Sequence, residues 1–583
     1  MPSSKRQIGK RQTWIGLLLG LTWLIGGCAP TGPATPTQGA GASAEPAGPR
    51  TVHIALQNFG EPKNGIIGYG VSGGFDTLEH YLTFHSSMLV LDPSGNLMPR
   101  LAERVPTLQN GDWKTFPDGR MDITWKLKDT KWHDGAPFTS ADLVLGLKVM
   151  ADPDVPTTKA TWPRLVDSME TPDTRTLVVH WKEPYFLAGG SGPAATPSPA
   201  LPNHILGQPY KDLDKPTFIN LPYWTDEFVG LGPYRVVNWQ RGSWIEGAAY
   251  DGYVLGRPKI DRVFMHYVGD VNTIVAGILS GDLDVVAMGA RMDVDQMMAI
   301  KNIWAASGDG GTVLPIAFGN RAIWLQLRDP TAPWAKDVRV RRAMSHSTDR
   351  QAMSEALQNG LAPPTLTFIP QEDSGFKVLE STGGYAQYPY DPNKAHQLLA
   401  EAGWNLGADG LLQDATGQPM AVELTATGQG SNVQEIETVA SIWKKIGFNT
   451  SVRPLPPTSA NLDELKNGHK GGFVWPGLSY INPQALISNQ IATERTVWKG
   501  GNYGGYLNKV YDDLYDKFQT TLDSSDRQKV NADIMRVIAD EVPIIPIYFY
   551  GNGMVSRKNV EGPGMISPNQ TANTWNINEW VMK

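Results

Sequence analysis

A single cysteine in 583 residues is the first thing this chain lacks company for. With Cys28 alone, no internal disulfide framework can staple the fold. Long apolar runs are missing too. Trp14 to Ile25, about a dozen residues, is too short to span a bilayer, and no later stretch reaches transmembrane length. A clustered Lys/Arg face is absent and the formal charge is −7, which excludes the basic stripe that nucleic-acid binding needs. There is no P-loop, no credible dinucleotide fingerprint, no HExxH and no cysteine pair, and the ten histidines are scattered. No resident cofactor or metal is expected.

What is present begins with a basic n-region, Lys5, Arg6, Lys10 and Arg11, followed by the apolar Trp14–Ile25 segment. This is the layout of an export signal. It ends in Ile25-Gly26-Gly27-Cys28, which resembles a bacterial lipobox, so residues 1–27 are expected to be a signal peptide and Cys28 a lipidated mature N-terminus. Loss of the four basic residues and no acidic one would move the formal charge from −7 to −11. Residues 28–50 are mostly Pro, Gly, Ala, Thr and Ser, too poor in bulky apolar groups to offset their ordering entropy, and read as a flexible tether.

Beyond residue 50 the body is large enough for two or three domains of about 100–200 residues each. Thr51–Leu56 and Met121–Lys128 alternate as strands do. Thr139-Ser140-Ala141-Asp142 reads as a helix start. Asp391-Pro392 opens a helix whose apolar face is Ala395, Leu398, Leu399 and Ala402, stopped by Gly403; Ile436, Val439, Ala440 and Trp443 repeat that spacing up to Gly447. A strand, Asn449–Leu455, follows. Val542–Tyr550 is β-prone but carries Pro543 and Pro546, which predicts an edge or crossing strand. Helices and strands are mixed throughout, which gives an α/β or α+β class. Nineteen Trp and nineteen Tyr serve core filling or a ligand-stacking surface.

Five segments, in order, resemble the family 5 extracellular solute-binding proteins, the peptide- and nickel-binding class of ABC importers. They are Trp125–Lys128 through Trp132-His133-Asp134-Gly135-Ala136-Pro137-Phe138 to Leu143; Gly230-Leu231-Gly232-Pro233-Tyr234 through Gly281-Asp282-Leu283-Asp284; Asp337–Met344 with Thr348-Asp349-Arg350; Tyr390-Asp391-Pro392 through Gly403-Trp404; and Glu541–Tyr548. The resemblance implies a two-lobed, three-domain α/β fold of the periplasmic-binding-protein type II kind, with a hinge between the lobes. Domain I would comprise 51–87, 209–328 and 542–583, domain II would be an insertion at 88–208, and domain III would be the second lobe at 329–541. Ile323–Leu327 and Val542–Tyr550 are the expected hinge strands. The implied partners are a small organic ligand, a membrane permease of an ABC importer and, through Cys28, a lipid bilayer.

In peptide-binding members a Trp-x-x-Asp-Tyr-x-x-Pro-like segment supplies an Asp that pairs with the peptide ammonium. The matching stretch runs from Trp475 to Pro483 and puts Ser479 before Tyr480, with no carboxylate between Glu464 and Glu494. A hydroxyl cannot replace an anion opposite a buried cation, so the resemblance points to a neutral ligand such as an oligosaccharide or a blocked peptide. Trp475, Tyr480 and Tyr503 would stack on it, and Ser479, Asn482 and Asn502 would hydrogen-bond to it. The loop after the first strand, with Gly70, Val71 and Ser72, is a further cleft-lining candidate. Gly70-Val71-Ser72-Gly73-Gly74 also fits the hydrolase elbow G-x-S-x-G, but no strand leads into the serine. His133 reads as a structural hydrogen bonder, and Asp337 with Arg339, Arg341 and Arg342 as a solvated helix start. An envelope hydrolase using a carboxylate pair, or a ligand sensor on the same fold, stays open; turnover separates the first from a binding protein.

Overall fold

The alternation of Thr51–Leu56 is realised in the computed structural model as β1 (Thr51–Gln57), a strand in a ten-stranded mixed sheet. The structure describes residues 48–57 and 75–583, apart from 94–95, 153, 156–161, 191–199, 288–289, 291, 293, 309, 429–430 and 565–571. Cys28, the tether up to residue 47, and Gly70, Val71 and Ser72 lie outside the described residues. Pro49–Lys583 forms one unit.

The other strands of the sheet are β2 (Tyr234–Gln240), β3 (Trp244–Ala249), β4 (Arg262–Val268), β5 (Val285–Val286), β6 (Gly311–Leu325), β7 (Ala421–Thr427), β8 (Asn449–Leu455), β9 (Gly472–Pro476) and β10 (Ile544–Arg557). Their spatial order is β8-β7-β9-β6-β10-β5-β1-β4-β3-β2. Two parallel groups, β8-β7-β9 and β5-β1-β4, are joined by the long antiparallel pair β6 and β10. A separate four-stranded antiparallel sheet is built from Trp113–Thr115, Met121–Lys126, Val166–Asp173 and Thr176–Trp181. The fold is the mixed α/β architecture expected.

The prolines of the last long strand are placed as proline chemistry demands. Pro543 precedes β10, and Pro546 sits at a register shift, opposite Ala322 while Tyr548 faces Arg321. On the side of β10 away from β6, Phe549 and Ile547 bond to Pro363 and Thr365 rather than to a strand. β10 then continues to Val555 and Ser556, where it pairs with β5. It is therefore a crossing strand, longer than Val542–Tyr550. β6 likewise starts well before Ile323 and ends at Leu325.

Each apolar stripe finds a partner. Ala395 and Leu399 are buried on Pro392–Glu401, and Gly403 closes that helix at φ 88°. Ile436, Val439 and Trp443 on α2 (Asn432–Ile446, counting Ser374–Ser381 as α1) pack with Ile323, Leu325, Leu424 and Val474 on one face of the sheet. The opposite face of β6 and β9, through Ala322, Trp324 and Phe473, packs on α3 (Lys509–Thr520) and α4 (Ser524–Glu541). Val52, Ile54, Val263 and Met265 anchor another core, and Trp125, Trp132, Leu143 and Val179 one over the small sheet. Burying a side chain such as Leu424 or Val474 contributes about 1.5–3 kcal/mol.

Candidate functional site

Parallel strands present their carboxyl ends to ligands where chain direction switches. The register places that point here. β9 ends at Pro476 opposite Arg321, and β5 ends at Val286 opposite Val555. Between these pairs β6 and β10 run alone together, with Asn320 opposite Phe549 and Ala317 opposite Gly551. The carboxyl ends of both parallel groups thus converge on the crossing pair, which forms the floor between them.

A buried ion pair occupies that floor. Arg321 from β6 donates Nε–H to Glu435 Oε1 at 2.9 Å and a second N–H to Glu435 Oε2, and its Nη2 reaches Asn432 Oδ1 at 2.9 Å. The Tyr548 hydroxyl of β10 donates to the same carboxylate. The two charged side chains are 7% and 3% exposed. Burial alone would lower the Arg321 pKa, but the Glu435 charge and hydrogen bonds outweigh it and hold the group above its usual value. Burial and Glu435 push the Tyr548 hydroxyl well up, so it stays a donor. The network ties both crossing strands to the first turn of α2. Its members are spread over β6, α2 and β10, and no local motif announces them.

The segment Gly477–Pro483 leaves β9 directly over this floor. Asn320 clamps it: Gly477 N–H donates to the Asn320 carbonyl at 2.8 Å, and Asn320 Nδ2 donates to Leu478 O at 2.9 Å. A Cβ on Gly477 would lie 1.9 Å from Asn320 Oδ1, so the approach requires glycine. Ser479 is exposed at the surface of this segment. Tyr480 is half-buried; its carbonyl accepts from Asn531 Nδ2 at 2.8 Å and its hydroxyl donates to Asp373 Oδ2 at 3.0 Å. Asn482 Oδ1 accepts from the Tyr515 hydroxyl at 2.9 Å.

Asp373 changes the electrostatic reading of the segment. The absence of carboxylates between 464 and 494 suggested an anion-free site, yet folding delivers one from 107 residues upstream of Tyr480. Its other oxygen caps α1 through Gly375 N–H at 2.7 Å. Nothing in the sequence pairs Asp373 with Tyr480, because the contact is tertiary. Acceptors prevail nearby as well: Asn320 Oδ1 and Asn531 Oδ1 are buried without a hydrogen-bond partner.

The aromatic candidates are already engaged. Trp475 stacks on Phe473 at 5.4 Å and 17°, with the Lys466 ammonium 4.5 Å from its ring. Tyr503 sits edge-on to Trp324 at 5.3 Å and to Phe473 at 5.4 Å. These two rings and Tyr480 pack against one core, on the α3–α4 face of the sheet. Asn502 does not face solvent at all. It is 0% exposed, its Nδ2 donates to the Leu486, Ile487 and Tyr506 carbonyls, and its Oδ1 accepts from Tyr506 N–H. Both polar groups of the Asn502 side chain are used to hold its own loop, which departs from the expectation that it meets ligand.

His133 is structural, as its motif suggests. Its Nδ1 accepts from Gly230 N–H at 3.2 Å and its Nε2 donates to Gly232 O at 3.0 Å, which sets the neutral tautomer. Burial lowers its pKa to about 4. Gly230 and Gly232 must be glycine, since a Cβ on either would lie 2.0 Å or 2.4 Å from Phe84 backbone atoms. Arg341 departs from the solvated reading: it is buried, and bonds Glu541 O, Trp334 O and Glu541 Oε2. Among the described residues no group of three or more His, Cys, Asp or Glu is arranged to hold a metal. A cavity of about 430 Å³ lies elsewhere, lined by Arg350, Thr365, Phe376, Tyr385 and Tyr390 among others. Its lining residues all fall between Asp349 and Tyr390.

Comparison with known proteins settles the lineage. The family model for bacterial extracellular solute-binding proteins, family 5 (middle) matches residues 96–495. The chain belongs to this family. It is 28% identical over 335 residues to a putative ABC transporter peptide-binding protein of Brucella ovis, a match that spans 57% of either chain. It is 24% identical over 542 residues to the oligopeptide-binding protein AppA of Bacillus subtilis, covering 90% of this chain and 91% of that one. In fold it resembles NikZ of Campylobacter jejuni, solved in complex with Ni(L-His), with a TM-score of 0.71 at 21% identity over 91% of this chain and 99% of the other. The Brucella ovis and Bacillus subtilis relatives are both named for peptide binding.

Proposed function

We propose that this family 5 protein is the substrate-binding component of an ABC importer, and that it captures a small organic solute by closing its two lobes about β6 and β10. The observation that carries the reading is the convergence of two parallel strand groups on one pair of crossing strands. A ligand touching both groups binds the closed arrangement better, and only that difference in affinity shifts the population. The lobes would follow the division expected from sequence: 51–87, 209–328 and 542–583 with the insertion 88–208 on one side, and 329–541 on the other. The closed form would dock on a membrane permease, with Cys28 acylated and residues 28–50 as tether. Among the described residues no observation favours the hydrolase or the sensor alternative.

The ligand would meet Ser479, Tyr480, Asn482 and the open parts of Trp475 and Tyr503, with Gly70, Val71 and Ser72 from the opposite lobe. Oligopeptide-like and oligosaccharide-like solutes both fit hydroxyl and amide groups at these positions. Asp373 with the unpartnered Asn320 and Asn531 oxygens makes the surroundings acceptor-rich, which favours a ligand rich in N–H donors and readmits free-amine peptides. A thermal-shift screen of residues 51–583 with free peptides, N-acetylated peptides, oligosaccharides and metal chelates tests this. A ligand at about a hundred times its dissociation constant stabilises by roughly 2.7 kcal/mol. Stabilisation by free peptides that drops for the acetylated ones and for Asp373→Asn supports the reading. Stabilisation by sugars alone restores the neutral ligand, and equal stabilisation by Asp373→Asn removes Asp373 from the site.

A further inference from the structure

We propose that the turn Tyr185–Leu187 is a latch that favours the closed form, and that it is wired to the Gly477–Pro483 segment; this rests on the lobe-closure reading above. The turn follows strand Thr176–Trp181 of the small sheet, yet it docks on the corner between α3 and α4, more than three hundred residues later in the chain. Phe186 N–H donates to Gln519 O at 3.1 Å. The Phe186 ring meets Phe518 edge-on at 4.9 Å, and the Arg527 guanidinium lies 4.7 Å from the Phe186 centroid. Arg527 is held in place by the Thr521 and Leu522 carbonyls at 3.0 and 2.9 Å. Phe186 and Phe518 are buried, and Leu187 and Leu522 each pack against both the core of the small sheet and the core under β6 and β9. Close packing beneath the turn leaves no slack, since a Cβ on Gly189 would lie 2.6 Å from the Trp113 ring.

An edge-to-face pair capped by a cation is favourable beyond its buried area, so the contact biases the lobes toward closure by protein atoms alone. It also reports on the candidate site. Gln519, whose carbonyl holds Phe186, donates its side-chain amide to the Tyr515 hydroxyl, and that hydroxyl donates to Asn482 Oδ1 at 2.9 Å. A ligand group that engages Asn482 therefore acts on the residue that seats the latch.

The test is small-angle scattering of the full-length protein with no ligand added, comparing wild type, Phe186→Ala, Arg527→Ala and the exposed control Leu507→Ala. The latch predicts a larger radius of gyration for Phe186→Ala and Arg527→Ala and none for Leu507→Ala. By hydrogen exchange the Phe186 amide should be protected in the wild type and lose at least tenfold of that protection in Arg527→Ala, a variant that leaves the Phe186 ring in place. Scattering identical for all four proteins, with the Phe186 amide equally protected in Arg527→Ala, would overturn the latch and make the turn a static contact. Lobe closure itself would then still be judged separately, by whether a ligand from the screen compacts the wild type. If Phe186→Ala fails to fold, Phe186→Leu takes its place, with expansion expected in the same direction.

Discussion

Arg321 and Glu435 show how much a single residue pair decides in this molecule. Both are nearly solvent-free, and together with Tyr548 they fix the crossing strands to α2. Removing one partner leaves an uncompensated buried charge, which costs about 3–5 kcal/mol. Arg321→Met should lose that much in urea unfolding, while the double change Arg321→Met with Glu435→Gln should recover part of it. The buried imidazoles make a second residue-scale prediction. Burial lowers His85 to about 3, and burial likewise brings His133 and His469 to about 4. Unfolded, each would titrate near 6.5. Below that pH the unfolded chain binds protons that the folded chain refuses, so stability is complete above about pH 6.5. It falls by about 1.4 kcal/mol per pH unit per imidazole down to the folded pKa. Urea midpoints should drop between pH 7 and pH 5, and His133→Asn should drop less than the wild type.

At the scale of elements, termini and bulges carry the information that apolar periodicity does not. α2 ends at Gly447 with φ 105°, and a Cβ there would lie 2.6 Å from Leu406 Cδ2. Gly447→Ala should cost about 1–2 kcal/mol from the left-handed backbone, before any clash is added; equal urea midpoints would show that the cap can relax. The start of β10 obeys the same logic. Val542 is forced to φ 47° where α4 turns into the strand, and Pro546 falls at the bulge. These helix and strand limits were legible because Gly, Pro and the N-cap Asp act locally. The function of β10 was only half legible. Its two prolines marked it as irregular, but its continuation to Arg557 depends on β5 and β6 supplying its partners.

For the whole molecule, the proposed anchoring separates from the proposed binding. If Cys28 is acylated, Cys28→Ser should move the protein from the membrane fraction to the soluble fraction and abolish palmitate labelling, while the thermal-shift response to ligand stays unchanged. Retention of the Ser variant in the membrane would place the anchor elsewhere. The proposed binding would depend instead on segments far apart in sequence, and here legibility was lower. Ser479, Tyr480 and Asn482 could be singled out because they form one contiguous motif. Asn502 was wrongly grouped with them, since its complete use in internal hydrogen bonds is invisible until the 486–506 loop is folded. Asp373, Asn320 and Asn531 had no sequence signal at all.

The amino-acid sequence by itself determined the family, the α/β class, and the strands and helices with the clearest periodicity and caps, such as β1, β8 and α2. All of these follow from short-range patterns: periodicity, caps, and residues that only one backbone conformation tolerates. Tertiary structure alone decided which charges face each other. Arg321 meets Glu435, Asp373 meets Tyr480 and Phe186 meets Arg527 across 114, 107 and hundreds of residues. Electrostatic and aromatic contacts depend on distances of a few ångströms in space, and no spacing along the chain encodes those distances.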